Sequence, residues 1–356
     1  MKENYEVIGI MSGTSLDGLD IAFCRFETEH GKWKFSLAEA ETVAYPPEWL
    51  NLLRNLPQSD ALSISLTHNA YGKWIGEVCR SFIEKYQLQP GLVASHGHTI
   101  FHRPHEGMTL QIGSGAAIAA ESGISTVCDF RSLDVALHGQ GAPLVPIGDR
   151  LLFGEYDACV NIGGFANISA ETDGRRLAYD ICPANILLNG VASLLGQRFD
   201  ESGNIARQGT PDPQLLLQLN QLPYYSLAAP KSLGREWVEK WILPLIDQCT
   251  LHPTDILSTL TEHIAFQISS ALPDRKDSTA LFTGGGVHNL FLMERIAALA
   301  VCRIVTPDRK TIDFKEALIF ALLGVLRIRG ENNCLAEVTG ADHDNCGGAV
   351  YLYSGH

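Results

Sequence analysis

The chain has 356 residues, more than the ~100–200 that one ordinary core takes, so two lobes are expected. With 46% hydrophobic and 19% charged residues it is neither disordered nor fibrous, and a formal charge of −13 without a Lys/Arg cluster argues against nucleic acid as a partner. The longest apolar run, Ala317 to Leu326, falls well short of the ~20 residues that cross a bilayer, and MKENYEVIGI has no signal-peptide layout, so a cytoplasmic protein with no membrane partner is expected. Nine cysteines without a CxxC pair fit reduced thiols better than disulfides or structural zinc.

Val7 to Met11 and Leu19 to Phe26 read as two apolar strands around a Gly/Ser/Thr-rich turn, a hairpin with a polar tip. Ala61 to Tyr86 has apolar residues at helical spacing, and LVASHGHTI after Pro90-Gly91 reads as a strand, so a crossover unit follows the hairpin. Gly115 to Ser122 reads as a small-residue helix and SGISTVCDF as a strand; HGQGAPLVP then breaks all periodicity near the lobe boundary. A second hairpin, DACVNIGGFANISA with RRLAYD, echoes the opening, and a helix is expected to start at Pro183. Further helices are expected at Pro213 to Leu222, Arg235 to Asp247 and Thr254 to Leu272, and the strand TALFTGGG runs straight into the helix VHNLFLMERIAALA. A last helix, about Asp313 to Arg327, precedes GGAVYLYS, which is expected to return to the first lobe. The lobes are therefore read as residues 1–138 with 337–356, and residues 139–336.

The turn Gly13-Thr14-Ser15-Leu16-Asp17-Gly18, leading into Leu19 and Asp20, has small residues that let backbone N–H groups approach an anion, two hydroxyls and a carboxylate. That suits a terminal phosphate, with Mg²⁺ at Asp17, although SLDG also reads as an ordinary hairpin turn. No GxxxxGK[ST] is present, so it is not a Walker loop. Asn161-Ile162-Gly163-Gly164 forms the second hairpin tip, where glycines could let backbone reach phosphates or simply make a tight turn. Thr283-Gly284-Gly285-Gly286 ends a strand at an expected helix start, where unpaired N–H groups and the helix dipole favour a nucleotide. Asp129 and Arg131 end a strand and could orient hydroxyls or carboxylates of a ligand, or pair with each other. His98 and His102 have HxxxH spacing, but that aligns two metal ligands only on a helix, and this segment reads as a strand.

The two hairpin tips and the triple-glycine turn resemble the two phosphate loops and the adenosine loop of the actin-like kinase and chaperone superfamily. In chain order, MSGTSLDGLD, SHGHT, LQIG, DFR, GQGAPLVP, NIGGFAN, PKSLGREW and GGGVHN resemble the signatures of the anhydro-N-acetylmuramic acid kinases. The resemblance implies an α/β, two-lobed actin-like/sugar-kinase (ribonuclease H-like) fold with an ATP cleft between lobes, use of ATP and Mg²⁺, a homodimer, and a role in cell-wall recycling. It also implies that the anhydro sugar is opened by water at C1 and phosphorylated at O6. The family's FDTGPGN segment reads Tyr179-Asp180-Ile181-Cys182-Pro183-Ala184-Asn185 here, so Asp180 matches the catalytic aspartate and Asn185 the substrate-facing asparagine, while Thr and two Gly are replaced. Asp180 would be the base, although Asp before an expected helix also caps well. His96 or Thr99 is implied to bind the sugar, as is Glu316, which could equally offset a helix dipole; Lys231 and Arg235 are possible substrate or lid contacts.

Three rivals stand beside this reading: a kinase for another amino sugar, suggested by the altered segment; a non-enzymatic nucleotide switch sharing the ATP-binding plan; and a metal-dependent carbamoyl-transfer-like relative built on the histidine cluster.

Overall fold

The computed structural model describes residues 2–13, 16–172 and 174–354. They form two compact units, one of residues 1–153 with 314–356 and one of residues 154–313.

In the first unit β1 (Glu3–Ser12), β2 (Leu19–Glu29) and β3 (Lys32–Val43) make an antiparallel meander, followed by β4 (Leu92–Arg103), β5 (Met108–Ile112) and β6 (Thr126–Cys128). β4 joins the far side of β1 in parallel, β6 joins β4 in parallel, and the C-terminal strand Ala349–Tyr351 pairs antiparallel with β6. Val7 to Ile10 are all buried, as a central strand covered on both faces requires. One cover is the 314–329 part of the helix Arg309–Arg329: a Cβ on Gly9 would lie 2.0 Å from the Ala317 carbonyl oxygen, and one on Gly324 2.6 Å from Ala94 Cβ. The other side carries the helix Ala61–Tyr86, which starts where the Asp60 side chain accepts from Ser63 N–H at 3.0 Å. It packs Tyr71, Ile75, Cys79 and Phe82 against Ile8, Ile10 and Val93.

The second unit repeats the plan with β7 (Ala158–Ile162), β8 (Phe165–Thr172), β9 (Arg175–Pro183), β10 (Thr279–Thr283) and β11 (Arg303–Val305). β7, β8 and β9 form the antiparallel meander, and β10 and β11 extend β7 in parallel. The order and sense β6-β4-β1-β2-β3 in the first sheet and β11-β10-β7-β8-β9 in the second are the same, the doubled ribonuclease H-like plan that the family resemblance implies. Its core is built on the helix Pro253–Ala271, whose Ile256, Leu257, Leu260, Ile264 and Ile268 share one face.

Several expected boundaries move. Residues 139–153 and 314–336, assigned above to the second lobe, cluster with the first unit, because Gly148 packs on Ile319 and the helix beyond Phe314 covers β1 and β4. That helix loses helical dihedrals at Phe314, where the chain passes from one unit to the other. The single helix expected from Arg235 to Asp247 is two, Arg235–Trp241 and Leu243–Asp247, with Pro244 opening the second. Among the described residues no helix is long and apolar enough to cross a membrane.

Candidate active site

The β1–β2 register places Ser12 opposite Leu19, so the glycine-rich turn sits at the end of the first sheet. Thr14 and Ser15 lie outside the described residues; of the others, Leu16 N–H donates to Gly13 C=O at 3.3 Å and Asp17 is exposed. Gly18 has φ +155°, and a Cβ there would meet Thr42 Cγ2 at 2.6 Å, so glycine is what lets the turn close against β3. Leu19 is fully buried, leaving only its backbone for a ligand, and Asp20 accepts from Thr42 Oγ1 at 2.6 Å.

His96, Arg131 and Glu316 come together in this unit. His96 is buried and donates Nδ1–H to Gly97 C=O at 2.9 Å, while its Nε2 accepts from Arg131 Nε at 3.0 Å and Nη2 at 2.9 Å. Burial first, and the Arg131 charge second, hold this imidazole well below its usual range, so it is neutral. Arg131 Nη1 donates to Gly141 C=O at 2.5 Å; burial brings the guanidinium down to about 10, with the Glu316 charge acting the other way. Glu316 is itself pushed up by burial, against the pull of Arg131 and Lys315. Arg131 therefore does not hold Asp129, the alternative left open by the sequence. Asp129 is exposed, accepts from Ser132 Oγ at 2.5 Å and has φ +56°. Thr99 Oγ1 accepts from Gln111 Nε2 at 3.4 Å. His68 Nδ1 and Gln111 Oε1 are buried without partners, leaving polar capacity near Asp129 and Thr99 for a ligand.

In the second unit Asp180 lies on β9 opposite Asn167, with Ile181 as the extra residue of a bulge. The PKSLGREW loop grips it: Leu233 N–H donates to Oδ2 at 2.9 Å, and Asp180 N–H donates to Lys231 C=O at 3.1 Å. The Tyr224 hydroxyl donates to Asp180 C=O at 2.5 Å. Among the described residues Oδ1 has no partner, and burial raises the carboxyl pKa against the opposing Leu233 N–H. Lys231 Nζ donates to Tyr224 C=O at 3.2 Å, and exposed Arg235 pairs with Glu239.

Asp180 does not cap a helix. The helix Asn185–Leu194 has no side-chain cap; Ala184, Asn185 and Ile186 N–H donate to the Gly164, Gly163 and Gly164 carbonyls at 2.8, 3.2 and 3.2 Å. Asn185 thus begins its helix against the glycine tip of the β7–β8 hairpin. Ile181, Cys182 and Ala184, the departures from FDTGPGN, are all buried in the unit's core.

The triple glycine sits on that same hairpin. A Cβ on Gly284 would lie 2.6 Å from Asn161 Oδ1 and one on Gly286 2.2 Å from Ile162 Cγ2, whereas Gly164 and Gly285 face open space. The expected helix does not start at the glycines: one 3-10 turn, Gly285–His288, intervenes, and Asn289 then caps Leu290–Leu299 by accepting from Leu292 N–H at 3.0 Å. The loop is therefore shaped by close backbone packing, and the helix dipole starts beyond it.

Among the described residues no group of three or more His, Cys, Asp or Glu could hold a metal ion. Mg²⁺ needs less: with phosphates and waters as its other ligands, one carboxylate such as exposed Asp17 fits it.

Asp134 was missed by sequence reasoning. Fully buried, its Oδ1 accepts from Thr339 Oγ1 at 2.8 Å, Asn345 Nδ2 at 2.9 Å and Cys334 Sγ at 3.0 Å, and its Oδ2 from Gly141 N–H at 2.7 Å. Through Gly141 it ties the C-terminal segment to Arg131. Its only sequence signal was GQGAP: a Cβ on Gly139 would lie 2.2 Å from Asp134 Oδ2.

A family model described as anhydro-N-acetylmuramic acid kinase matches residues 5–353. The chain belongs to this family. Proteins named anhydro-N-acetylmuramic acid kinase from Idiomarina loihiensis and a Sulfurovum species are each 35% identical to it, the first over 97% of this chain and 98% of its own, the second over 99% of both. One from Sulfurimonas denitrificans is 32% identical over 99% of this chain and all of its own. Among solved structures, a xylulose kinase from Lactobacillus acidophilus is similar at TM-score 0.43 and 12% identity, over 98% of this chain and 94% of its own. The glycine turns, Asp180 and the PKSLGREW loop described above all fall within the stretch that matches the anhydro-N-acetylmuramic acid kinase family.

Proposed function

We propose that this chain uses ATP to open the 1,6-anhydro ring of anhydro-N-acetylmuramic acid and phosphorylate its O6, giving N-acetylmuramate 6-phosphate. The observation that carries the reading is the kinase-family match over nearly the whole chain. In the reaction a water attacks C1 and loses a proton to Asp180 Oδ1, the oxygen that the Leu233 N–H leaves free. The C1–O6 bond breaks, and O6 takes the γ-phosphoryl group as ADP leaves. Burial favours the base role, because a carboxyl held above its ordinary range accepts a proton more readily.

The turn at 13–18, Asn161 with Gly163 and Gly164, and Gly284 to Gly286 are assigned to the nucleotide. His96, Thr99, Asp129, Arg131, Asn185 and Glu316 are assigned to the sugar. Both His96 nitrogens are already engaged, so its part is to orient Arg131. Mg²⁺, held at Asp17 and the phosphates, would neutralise charge on the transferring group. A cytoplasmic homodimer acting in recycling of cell-wall sugars completes the reading. Another amino sugar as the preferred substrate loses its motivation, since the altered residues 181, 182 and 184 face the core.

Reaction in ¹⁸O-labelled water tests this. One ¹⁸O retained in the sugar phosphate, with one ADP formed per product, is expected; ¹⁸O appearing only in inorganic phosphate would mean that the chain merely hydrolyses ATP.

A further inference from the structure

Two histidines on β4 differ in what they have left to offer. His96 has both nitrogens engaged, whereas His98, two residues on, is bonded at Nδ1 alone. Nδ1 is 2.8 Å from Ser12 Oγ, Ser12 Oγ is 2.6 Å from Tyr45 Oη, and Tyr45 Oη is 2.6 Å from Tyr71 Oη. Tyr71 is fully buried and closes the row.

The row can be polarised in two ways. If His98 Nδ1 carried the proton, Ser12 would donate to Tyr45 and Tyr45 to Tyr71, leaving the Tyr71 O–H only a weak interaction with Ser12, whose oxygen would already be accepting from His98. A buried donor left with a weak acceptor recovers little of its desolvation penalty. In the other sense Tyr71 donates to Tyr45, Tyr45 to Ser12 and Ser12 to Nδ1, so every hydroxyl proton is used. His98 is then the Nε2–H tautomer, and burial, which brings its pKa down to about 4, keeps it neutral. Among the described residues Nε2 has no partner.

The position of this nitrogen suits a ligand. His98 pairs with Ser12 at the carboxyl ends of the parallel strands β1 and β4, directly before the glycine-rich turn, and open α/β sheets bind ligands at such strand ends. We propose that His98 donates its Nε2–H to an oxygen of a bound ligand, sugar or phosphate, and that Tyr45 and Tyr71 act as positioning residues that fix its tautomer through Ser12. The proposal rests on the kinase reading given above.

Two measurements test it. In ¹⁵N-resolved NMR of the ligand-free chain, His98 should show a protonated Nε2 and a bare Nδ1, and Tyr45→Phe, which cuts the row, should bring in the second tautomer; a protonated Nδ1 or an imidazolium in wild type at neutral pH overturns the proposal. In kinetics, His98→Ala should lower kcat/KM about 10–100-fold for whichever co-substrate supplies the oxygen, the range for a hydrogen bond to a charged or strongly polar group. Separate titrations of sugar and of ATP identify that source, and His98→Gln, which keeps an N–H, should recover most of the loss. A folded His98→Ala with unchanged kcat/KM for both overturns it alone, whereas a wild-type chain that turns over no sugar fells the kinase reading and this proposal together.

Discussion

Asp180 is held in a setting that raises its pKa, and that has a consequence for stability as well as for catalysis. A group whose folded pKa lies above its unfolded value contributes stability that is fully present below the unfolded pKa, about 3.9 for Asp, and lost as pH rises through the folded pKa. Ionised Asp180 is therefore a cost near neutral pH. Asp180→Asn should abolish turnover, by roughly the 10²–10⁴-fold that general bases contribute, yet raise the melting temperature at pH 7; in scanning calorimetry the gain should vanish below about pH 4. Arg131 yields a second prediction. Arg131→Met removes two donors and a charge from His96, so an NMR titration should find that imidazole moving back up toward its usual range. Asp180 and Arg131 were both legible in the sequence through their motifs. Their partners were not, because Leu233 comes from a loop 53 residues beyond Asp180, and His96 stands on β4, 35 residues before Arg131, while Gly141 follows Arg131 by ten; no local pattern records such pairings.

The glycine loops divide into glycines that the fold requires and glycines that leave room. Gly286→Ala would drive a methyl into Ile162 and should cost about 1–3 kcal/mol, seen as a lower melting temperature. Gly285→Ala meets nothing within 4 Å, so it should leave the melting temperature unchanged while weakening ATP binding in a calorimetric titration. Equal effects of the two on ATP affinity and stability would remove the loop from the nucleotide site. The apolar runs of β1, β2, β4, β7 and β10 and the helix Ala61–Tyr86 were legible because periodicity reports burial directly. β3 was not: its residues KWKFSLAEAETV are mostly half-exposed and many are charged, as on the outer strand of a meander. The start of the helix after the triple glycine was displaced because Asn289 caps it, a choice made by one side chain.

At the scale of the molecule the two hairpins led to the expectation that the second half echoes the opening of the first, and the family resemblance to the doubled fold, whereas the unit boundaries depended on where one helix packs. The 314–329 part of the helix Arg309–Arg329 belongs with β1 and β4 because Gly9 and Gly324 permit the approach. The C-terminal segment follows it, pairing Ala349–Tyr351 with β6 and supplying Thr339, Asn345 and Cys334 to Asp134. Deleting residues 331–356 leaves a buried carboxylate stripped of three donors, a loss on the order of 3–5 kcal/mol, so the first unit should lose its hydrogen-exchange protection. The most direct test of the whole account is ADP release from Mg-ATP with 1,6-anhydro-N-acetylmuramic acid, comparing the wild-type chain with Asp180→Asn. Sugar-dependent ADP release by wild type, with a product heavier than the substrate by one water and one phosphoryl group, and its loss in a variant that still binds ATP, is the predicted result. ADP release that ignores the sugar, or persists undiminished in Asp180→Asn, would contradict it.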